Sequence, residues 1–276
     1  MRRGAGSHAG RRLLCAPPAG LPACASSEGC RRPGRVHENY KGEIVMTDAE
    51  IRKLIDDTLN NLPCVTIPNV YWGACDLTYY PDWGQRYNRG IAVVIPFFKM
   101  MTLKDHTEDG FALLEMTTYR YRLEVSNALT KAFTEAGIDF DIPLVFKDHE
   151  IVYHAQISAK DIAVHAGLGW IGKNDLLITP EYGPRVSLVG LVLNCDELIP
   201  GTPVTESRCG ECDACVHACP FKNFTGREWA PGRPREERVN YVRCSEMRGR
   251  ARKVLGRKMA CGKCIVSCPV GAPAEQ

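Results

Sequence analysis

Cys209-Gly-Glu-Cys212-Asp-Ala-Cys215-Val-His-Ala-Cys219-Pro220 constrains this chain more than any other stretch. Its spacing, C-x₂-C-x₂-C-x₃-C-P, lets three closely spaced thiolates wrap one iron–sulfur cluster. The fourth, set just before proline, turns away and ligates the other cluster in two-cluster proteins. A second run follows: Cys244, then Cys261-Gly-Lys-Cys264-Ile-Val-Ser-Cys268-Pro269, with the same x₂ and x₃-C-P spacings and its first cysteine displaced upstream. The eight thiolates suffice for two [4Fe–4S] clusters. The crossed pattern places Cys209, Cys212, Cys215 and Cys268 on one cluster and Cys219, Cys244, Cys261 and Cys264 on the other. Structural zinc is a poorer match, because zinc sites come as pairs of C-x₂₋₄-C. A disulfide framework would need an oxidising compartment, and nothing else in the sequence argues for export, so a cytoplasmic protein is expected.

At 276 residues the chain is long enough for one large domain and a small one. No run of eighteen apolar residues occurs, so no membrane-spanning helix is expected. The charge is unevenly spread. Residues 1–45 carry eight Lys/Arg against three Asp/Glu, residues 46–205 thirteen against twenty-one, and residues 206–276 fourteen against eight. The basic end coincides with the cysteine runs. Thiolate-ligated clusters are anionic, so this charge either neutralises them or meets a polyanion such as RNA.

Residues 1–45 are rich in Arg, Gly, Ala, Pro and Ser, with no helical or strand periodicity. They read as a disordered extension, as an upstream artefact before a true start at Met46, or as an Arg-rich transit peptide. Cys15, Cys24 and Cys30 there have no metal-site spacing. Regular structure is expected from Met46. Thr47-Asp-Ala-Glu50 fits a capping box, Ile51, Leu54, Ile55, Leu59 and Leu62 follow at helical spacing, and Pro63 stops the helix. The aromatic stretch from Val70 to Gly84 either floors a flat cofactor or simply packs. Gly90–Pro96 reads as a buried strand, Thr117–Ala136 as a long amphipathic helix closed by Gly137, and Pro143–Phe146 as a further strand.

Ser158 caps a helix running to Ala166, and Gly167-Leu-Gly169-Trp170-Ile-Gly172-Lys173-Asn174 follows. The letters match G-x-G-x-x-G, but that dinucleotide fingerprint must follow a strand and open a helix. Here the glycines follow a helix and lead towards Asp175–Thr179, an expected strand, which a turn at Pro180–Pro184 would pair with Arg185–Leu193. NAD is therefore excluded. A glycine-rich loop before a hairpin suits either close backbone approach to a large ligand or a tight turn.

The block His165–Asn174, the expected hairpin after it and the two crossed cysteine runs together resemble epoxyqueuosine reductases. More broadly they resemble the iron–sulfur corrinoid reductases that include reductive dehalogenases. The similarity is clear over residues 143–270 and vague over 46–142. It implies an α+β fold: a nitroreductase-like α/β sandwich domain over 46–205 holding cobalamin, then a small ferredoxin-like domain over 206–276 with two [4Fe–4S] clusters. It further implies electron supply by a flavodoxin or ferredoxin, and reduction of an epoxide in a tRNA wobble nucleoside. On this resemblance Gly167, Gly169, Trp170, Gly172, Lys173 and Gly190 lie against the corrinoid.

The acidic proton donor of epoxyqueuosine reductases lies about a dozen residues before the glycine block. Tyr153 and His154 stand there in this sequence, and Asp148 comes a few residues too early. Reductive dehalogenases use a tyrosine donor, so Tyr153, with His154, reads either as the catalytic group or as a buried strand tyrosine. Longer members carry a C-terminal helical-repeat domain that helps grip tRNA, whereas this sequence stops at Gln276, eight residues past Cys268. Three activities stay open: an epoxyqueuosine reductase, a related reductase of a small molecule, and an electron-transfer module with no active site of its own.

The spacing generates a first test. Protein purified anaerobically should carry about eight irons and eight acid-labile sulfides per chain. Cys219→Ala should damage the cluster shared with Cys244, Cys261 and Cys264 more than the cluster of its sequence neighbours. Stoichiometric zinc in iron-replete preparations would overturn the assignment.

Overall fold

The structure is a computed structural model that describes residues 46–62, 69–80, 84, 86–143, 145–147, 153–155 and 157–273. The extension with Cys15, Cys24 and Cys30, the helix stop at Pro63, Trp83 within the aromatic stretch, and Asp148 lie outside the described residues.

The larger part of the chain is a mixed helix and sheet structure in three layers. Helix α1 (Asp48–Asn60) opens as the sequence expects. The Thr47 hydroxyl accepts from the Glu50 amide while the Glu50 carboxylate accepts from the Thr47 amide. Strands β1 (Tyr71–Asp76) and β2 (Arg89–Pro96) follow, then the long helix α2 (Glu108–Glu135). It starts nine residues before the expected Thr117, because Thr107 is its N-cap and accepts from the Gly110 amide. Ala136 ends it, and Gly137 just beyond has the left-handed φ of 71° expected of a closing glycine. After β3 (Phe140–Asp141), β4 (Val145–Lys147) and β5 (Tyr153–Ala155), helix α3 (Ala159–His165) is capped by Ser158. Then come β6 (Trp170–Ile171), β7 (Leu177–Ile178) and β8 (Val186–Leu193).

The main sheet is antiparallel throughout, in the order β1-β2-β8-β3. Both its faces are covered, which is why β2 is apolar at nearly every position. Ile91, Val93 and Ile95 point into the core formed with Ile51 and Ile55 of α1 and Val125, Leu129 and Phe133 of α2. Ala92 and Val94 point the other way, against Ile162 and Val164 of α3. This is period-2 alternation with two buried faces.

The expected hairpin between Asp175–Thr179 and Arg185–Leu193 does not form. β7 pairs instead with β6, inside the glycine block, and β8 enters the centre of the main sheet between β2 and β3. The Pro180–Pro184 turn is real, closed by the Thr179↔Gly183 bridge, but it redirects the chain between two sheets. An eight-residue strand apolar on both faces gains more from burial between α2 and α3 than from pairing with a two-residue neighbour.

The cysteine segment adds short helices only: α4 (Ala214–Ala218), a 3₁₀ turn (Arg235–Glu237), α5 (Tyr241–Arg250), α6 (Arg252–Leu255) and α7 (Lys263–Val266). α4 packs on α7. A third apolar cluster joins this segment to the start of α2, with Phe111 and Leu114 meeting Ala260 and Val266. No described helix is long and apolar enough to cross a membrane.

The layering generates a stability test. Leu129→Ala, in the fully buried core face of α2, should cost about 2–5 kcal/mol. Leu113→Ala on the exposed face of the same helix should stay within about 0.5 kcal/mol. Denaturant titration of the two variants checks the difference.

Candidate metal centre

All ten described cysteines are free thiols. Eight belong to the two runs, and short local structure presents them. Cys209 and Cys212 flank a tight turn closed by the Cys212 amide on the Cys209 carbonyl, Cys215 lies in α4, and Cys219 caps the end of that helix. Cys244 lies in α5. Cys261 precedes Gly262, Cys264 lies in α7, and Cys268 follows it.

The sulfurs feel one another in two sets. Burial pushes the Cys215 thiol up to about 12, and the Cys209, Cys268 and Cys212 sulfurs add to it. Burial likewise raises Cys264, with further pushes from Cys261, Cys244, Cys215 and Cys219. Cys244 is raised by burial and by Cys219 and Cys261, against the pull of Arg248. The neighbourhoods are thus Cys209, Cys212, Cys215 and Cys268 on one side and Cys219, Cys244, Cys261 and Cys264 on the other, with Cys215 and Cys264 where they meet. Among the described residues, no three His, Cys, Asp or Glu side chains converge tightly enough for a single metal ion. A zinc would draw its thiolates to about 2.3 Å from one centre.

The supports of this segment come from the larger layers. Arg185, completely buried, donates from Nε to the Met101 carbonyl (3.0 Å), from Nη1 to Val270 (3.0 Å), and from Nη2 to Val266 (3.1 Å) and Cys268 (2.9 Å). Glu108, at the start of α2, takes Arg257 in a two-pronged pair (2.6 and 2.7 Å) and accepts from the Ala260 amide (2.7 Å). The Arg257 hydrogen bonds hold its carboxyl down at about 2. His106 Nε2 meets the Cys261 carbonyl at 2.5 Å.

The glycine block ends in three more supports. Lys173, 5% exposed, reaches Asp213 Oδ1 at 2.8 Å, between Cys212 and Ala214. Burial is the largest single effect and opposes its charge, but the Asp213 hydrogen bond together with the nearby Asp213, Glu228 and Cys209 charges outweighs it and raises its pKa. Asn174 Nδ2 donates to the Cys264 carbonyl at 2.9 Å. Asp175, in a left-handed turn, pairs with Arg238 of the cysteine segment and with Lys160 of α3, both at 2.9 Å.

The glycines of this block face the chain itself. Gly167 has φ of 80°, and a Cβ there would lie 2.7 Å from the Thr202 carbonyl oxygen. A Cβ on Gly169 would collide with the Ile178 carbonyl of the β6–β7 pair. Gly172 closes on Asn174 and Ile178, and Gly190 of β8 on Ala159 of α3. Trp170 is 5% exposed beneath the Arg208 guanidinium (5.6 Å), and its Nε1 has no partner among the described residues. Tyr153 and His154 lie in β5, paired with Lys147 and Phe146 of β4.

The aromatic stretch packs against the entry to the block. Tyr79 stacks on His165 (3.7 Å between rings), and the Tyr80 hydroxyl donates to Asp161 at 3.1 Å. Burial first, then nearby acidic groups, raises both tyrosines far above the usual phenol value. Sequence reasoning missed Arg185, Glu108, Asp175 and Arg238. An arginine opening an apolar strand was the available signal for Arg185.

Residues 208–271 match the 4Fe-4S double cluster binding domain. That segment is therefore similar to domains that bind two [4Fe–4S] clusters. Its curated relatives are epoxyqueuosine reductases, as the glycine block and cysteine runs led us to expect. The protein of Listeria monocytogenes is 36% identical over 123 residues, which is 41% of this chain and 30% of that protein. That of Synechococcus sp. (strain CC9605) is 47% identical over 58 residues, 21% of this chain and 17% of that one. The match thus spans less than a third of these relatives' length. Among solved structures, a reductive dehalogenase whose structure suggests a mechanism for B12-dependent dehalogenation overlays with TM-score 0.57 at 15% identity, covering 85% of this chain and 34% of that one. This shows a shared fold.

Arg185 supplies the test here. Each hydrogen bond to a charged group contributes about 1.5–3 kcal/mol, so Arg185→Met should lower stability by at least about 3 kcal/mol. Arg185→Lys should recover little, because an ammonium cannot span four carbonyls as a planar fork does. Thermal melting and iron content of both variants, with Arg243→Met as an exposed control, check it.

Proposed function

We propose that the chain is an iron–sulfur reductase acting as epoxyqueuosine reductases do. In this reading Cys209, Cys212, Cys215 and Cys268 hold one [4Fe–4S] cluster, and Cys219, Cys244, Cys261 and Cys264 the other. A nitroreductase-like domain over 46–205 would hold a cobalamin beside them, with Gly167, Gly169, Trp170, Gly172, Lys173 and Gly190 as the residues nearest to it. The observation that carries the reading is the join between the glycine block and the cysteine segment. Lys173, Asn174 and Asp175, directly after the glycines, each bond to the cluster-bearing segment. A module that only ferried electrons would need no such coupling to a second layered domain.

For the corrinoid, the fit rests on Trp170, whose buried Nε1 lacks an acceptor among the described residues. A buried donor without a partner calls for one from a ligand or water. Gly167, Gly169, Gly172 and Gly190 are set against the chain itself, and a place for them beside the corrinoid rests on the resemblance alone. Lys173 contributes by fixing the Asp213 turn. When bound, the cofactor supplies a strongly reducing cobalt centre. The chain's own residues position it, exclude water through the Trp170 and Tyr79–His165 packing, and deliver a proton from Tyr153 or His154. A tRNA wobble nucleoside is the proposed substrate and a flavodoxin or ferredoxin the proposed donor, both by similarity to the relatives. The proposed location is cytoplasmic.

Anaerobic protein reconstituted with excess cobalamin and desalted should retain about one cobalt per chain beside its iron. Trp170→Phe should weaken retention with iron unchanged. Tyr153→Phe should keep both cofactors and slow turnover of epoxyqueuosine-containing tRNA by about 10²–10⁴-fold. Full iron with no cobalt would favour the electron-transfer module. Gly169→Leu does not discriminate, because it breaks the β6–β7 pair whatever binds there.

A further inference from the structure

Between Cys244 and Cys261 the chain makes an excursion through α5 and α6. Residues 243–258 carry seven Lys/Arg against a single acid, Glu246. The seven divide by direction. Arg248 and Lys258 turn inward and act on the Cys244 sulfur. Arg248 also pairs with Glu115 (3.6 Å), and Lys258 donates to Ser245 (2.7 Å). Arg257 is held by Glu108 and Asp109. Arg248 and Lys258 thus offset negative charge at Cys244, and Arg257 is taken up by the acids that begin α2. Arg243, Arg250, Arg252 and Lys253 are exposed and form no ion pair with any described residue. Beside them the arm ends in an apolar tip, Val254 at 87% and Leu255 at 40% exposure, before Gly256 turns the chain back with φ of 66°.

Three unpaired cations, Arg250, Arg252 and Lys253, within four residues of an exposed valine on the segment joining two cysteines of one sulfur set, together with Arg243 just before that segment, form a surface that neither folding nor neutralisation requires. We propose that this arm is the docking surface for an acidic electron-carrier protein, which delivers electrons to the cluster of Cys219, Cys244, Cys261 and Cys264. The inference rests on the cluster assignment above and is independent of cobalamin or tRNA. In the step itself the carrier's reduced flavin or iron–sulfur centre gives up one electron and the cluster passes from its 2+ to its 1+ state. No bond is made and no proton is needed. Unpaired cations steer an acidic partner and raise its on-rate, and the apolar tip gives a protein interface its dry centre. An RNA would use the cations and leave Val254 idle.

The probe is an acidic bacterial flavodoxin in its hydroquinone state, mixed by stopped flow with the anaerobically purified full chain while cluster bleaching is followed. The wild-type rate constant should fall steeply with salt. Arg250→Glu/Arg252→Glu/Lys253→Glu should lower it about 10-fold or more at low ionic strength and flatten its salt dependence. Photoreduced deazaflavin should reduce both proteins alike, and their iron contents should match. Val254→Ser should weaken flavodoxin binding several-fold with the salt dependence kept. Equal flavodoxin rates in cluster-loaded wild type and triple variant overturn the docking proposal alone. So does a variant that loses a labelled tRNA stem loop while reacting normally with flavodoxin. A wild type that takes up no cluster overturns this proposal together with the assignment it rests on.

Discussion

The contact on which the rest depends is the buried guanidinium of Arg185. It opens β8, the strand at the centre of the sheet, and donates to carbonyls from Met101, Val266, Cys268 and Val270. A buried charge survives only where hydrogen bonds replace its water. Here four carbonyls do so without a carboxylate partner among the described residues. Burial pulls its pKa down while the Cys268 thiol pushes the other way, and an arginine remains cationic under such opposing effects. The consequence is positional. The carbonyl of Cys268 is tied to the residue immediately ahead of the central strand, which anchors the last turn of the cysteine segment to the sheet.

The glycine block takes a different meaning from this frame. Its glycines let β6 and β7 close within a few residues, and the turn that follows throws Lys173, Asn174 and Asp175 toward the cysteine segment. Asp213, the Cys264 carbonyl and Arg238 receive them. Those three partners are spread across the segment, one beside each run and one between. A short sequence of consecutive polar residues thus grips a longer loop at three points. That explains why a glycine-rich block and two cysteine runs belong to the same chain.

What was legible in the sequence is what local spacing encodes. The cysteine intervals, the Thr47 capping box, the Ser158 cap and the apolar run of β2 each depend on neighbours within a few residues. What was not legible is partnership at a distance. The run 175–193 reads equally well as a hairpin or as two strands of separate sheets, and only the burial of β8 between α2 and α3 decides. The start of α2 was missed because Gly110 interrupts its helical pattern while Thr107 caps it. Arg185, in sequence, is one charge before an apolar run, and its four acceptors lie more than eighty residues away in either direction.

The uneven charge of the chain finds its explanation in the same contacts. The middle segment is rich in acids and the cysteine segment in bases. The acids Glu108, Asp109, Glu115 and Asp175 meet the bases Arg257, Arg248 and Arg238 across the join. Partly exposed pairs of this kind add little stability one by one, yet their arrangement along α2 and the β6–β7 turn selects one register for the cysteine segment. Lys173 and Asp213 run with the opposite polarity, so a segment displaced along the interface would set like charges together at that point. The charge balance that looked like a nucleic-acid signature is in part an instruction for assembling the two segments. The cations that this assembly leaves over include a cluster on the arm before Cys261, Arg250, Arg252 and Lys253, which stay exposed and without an ion pair among the described residues.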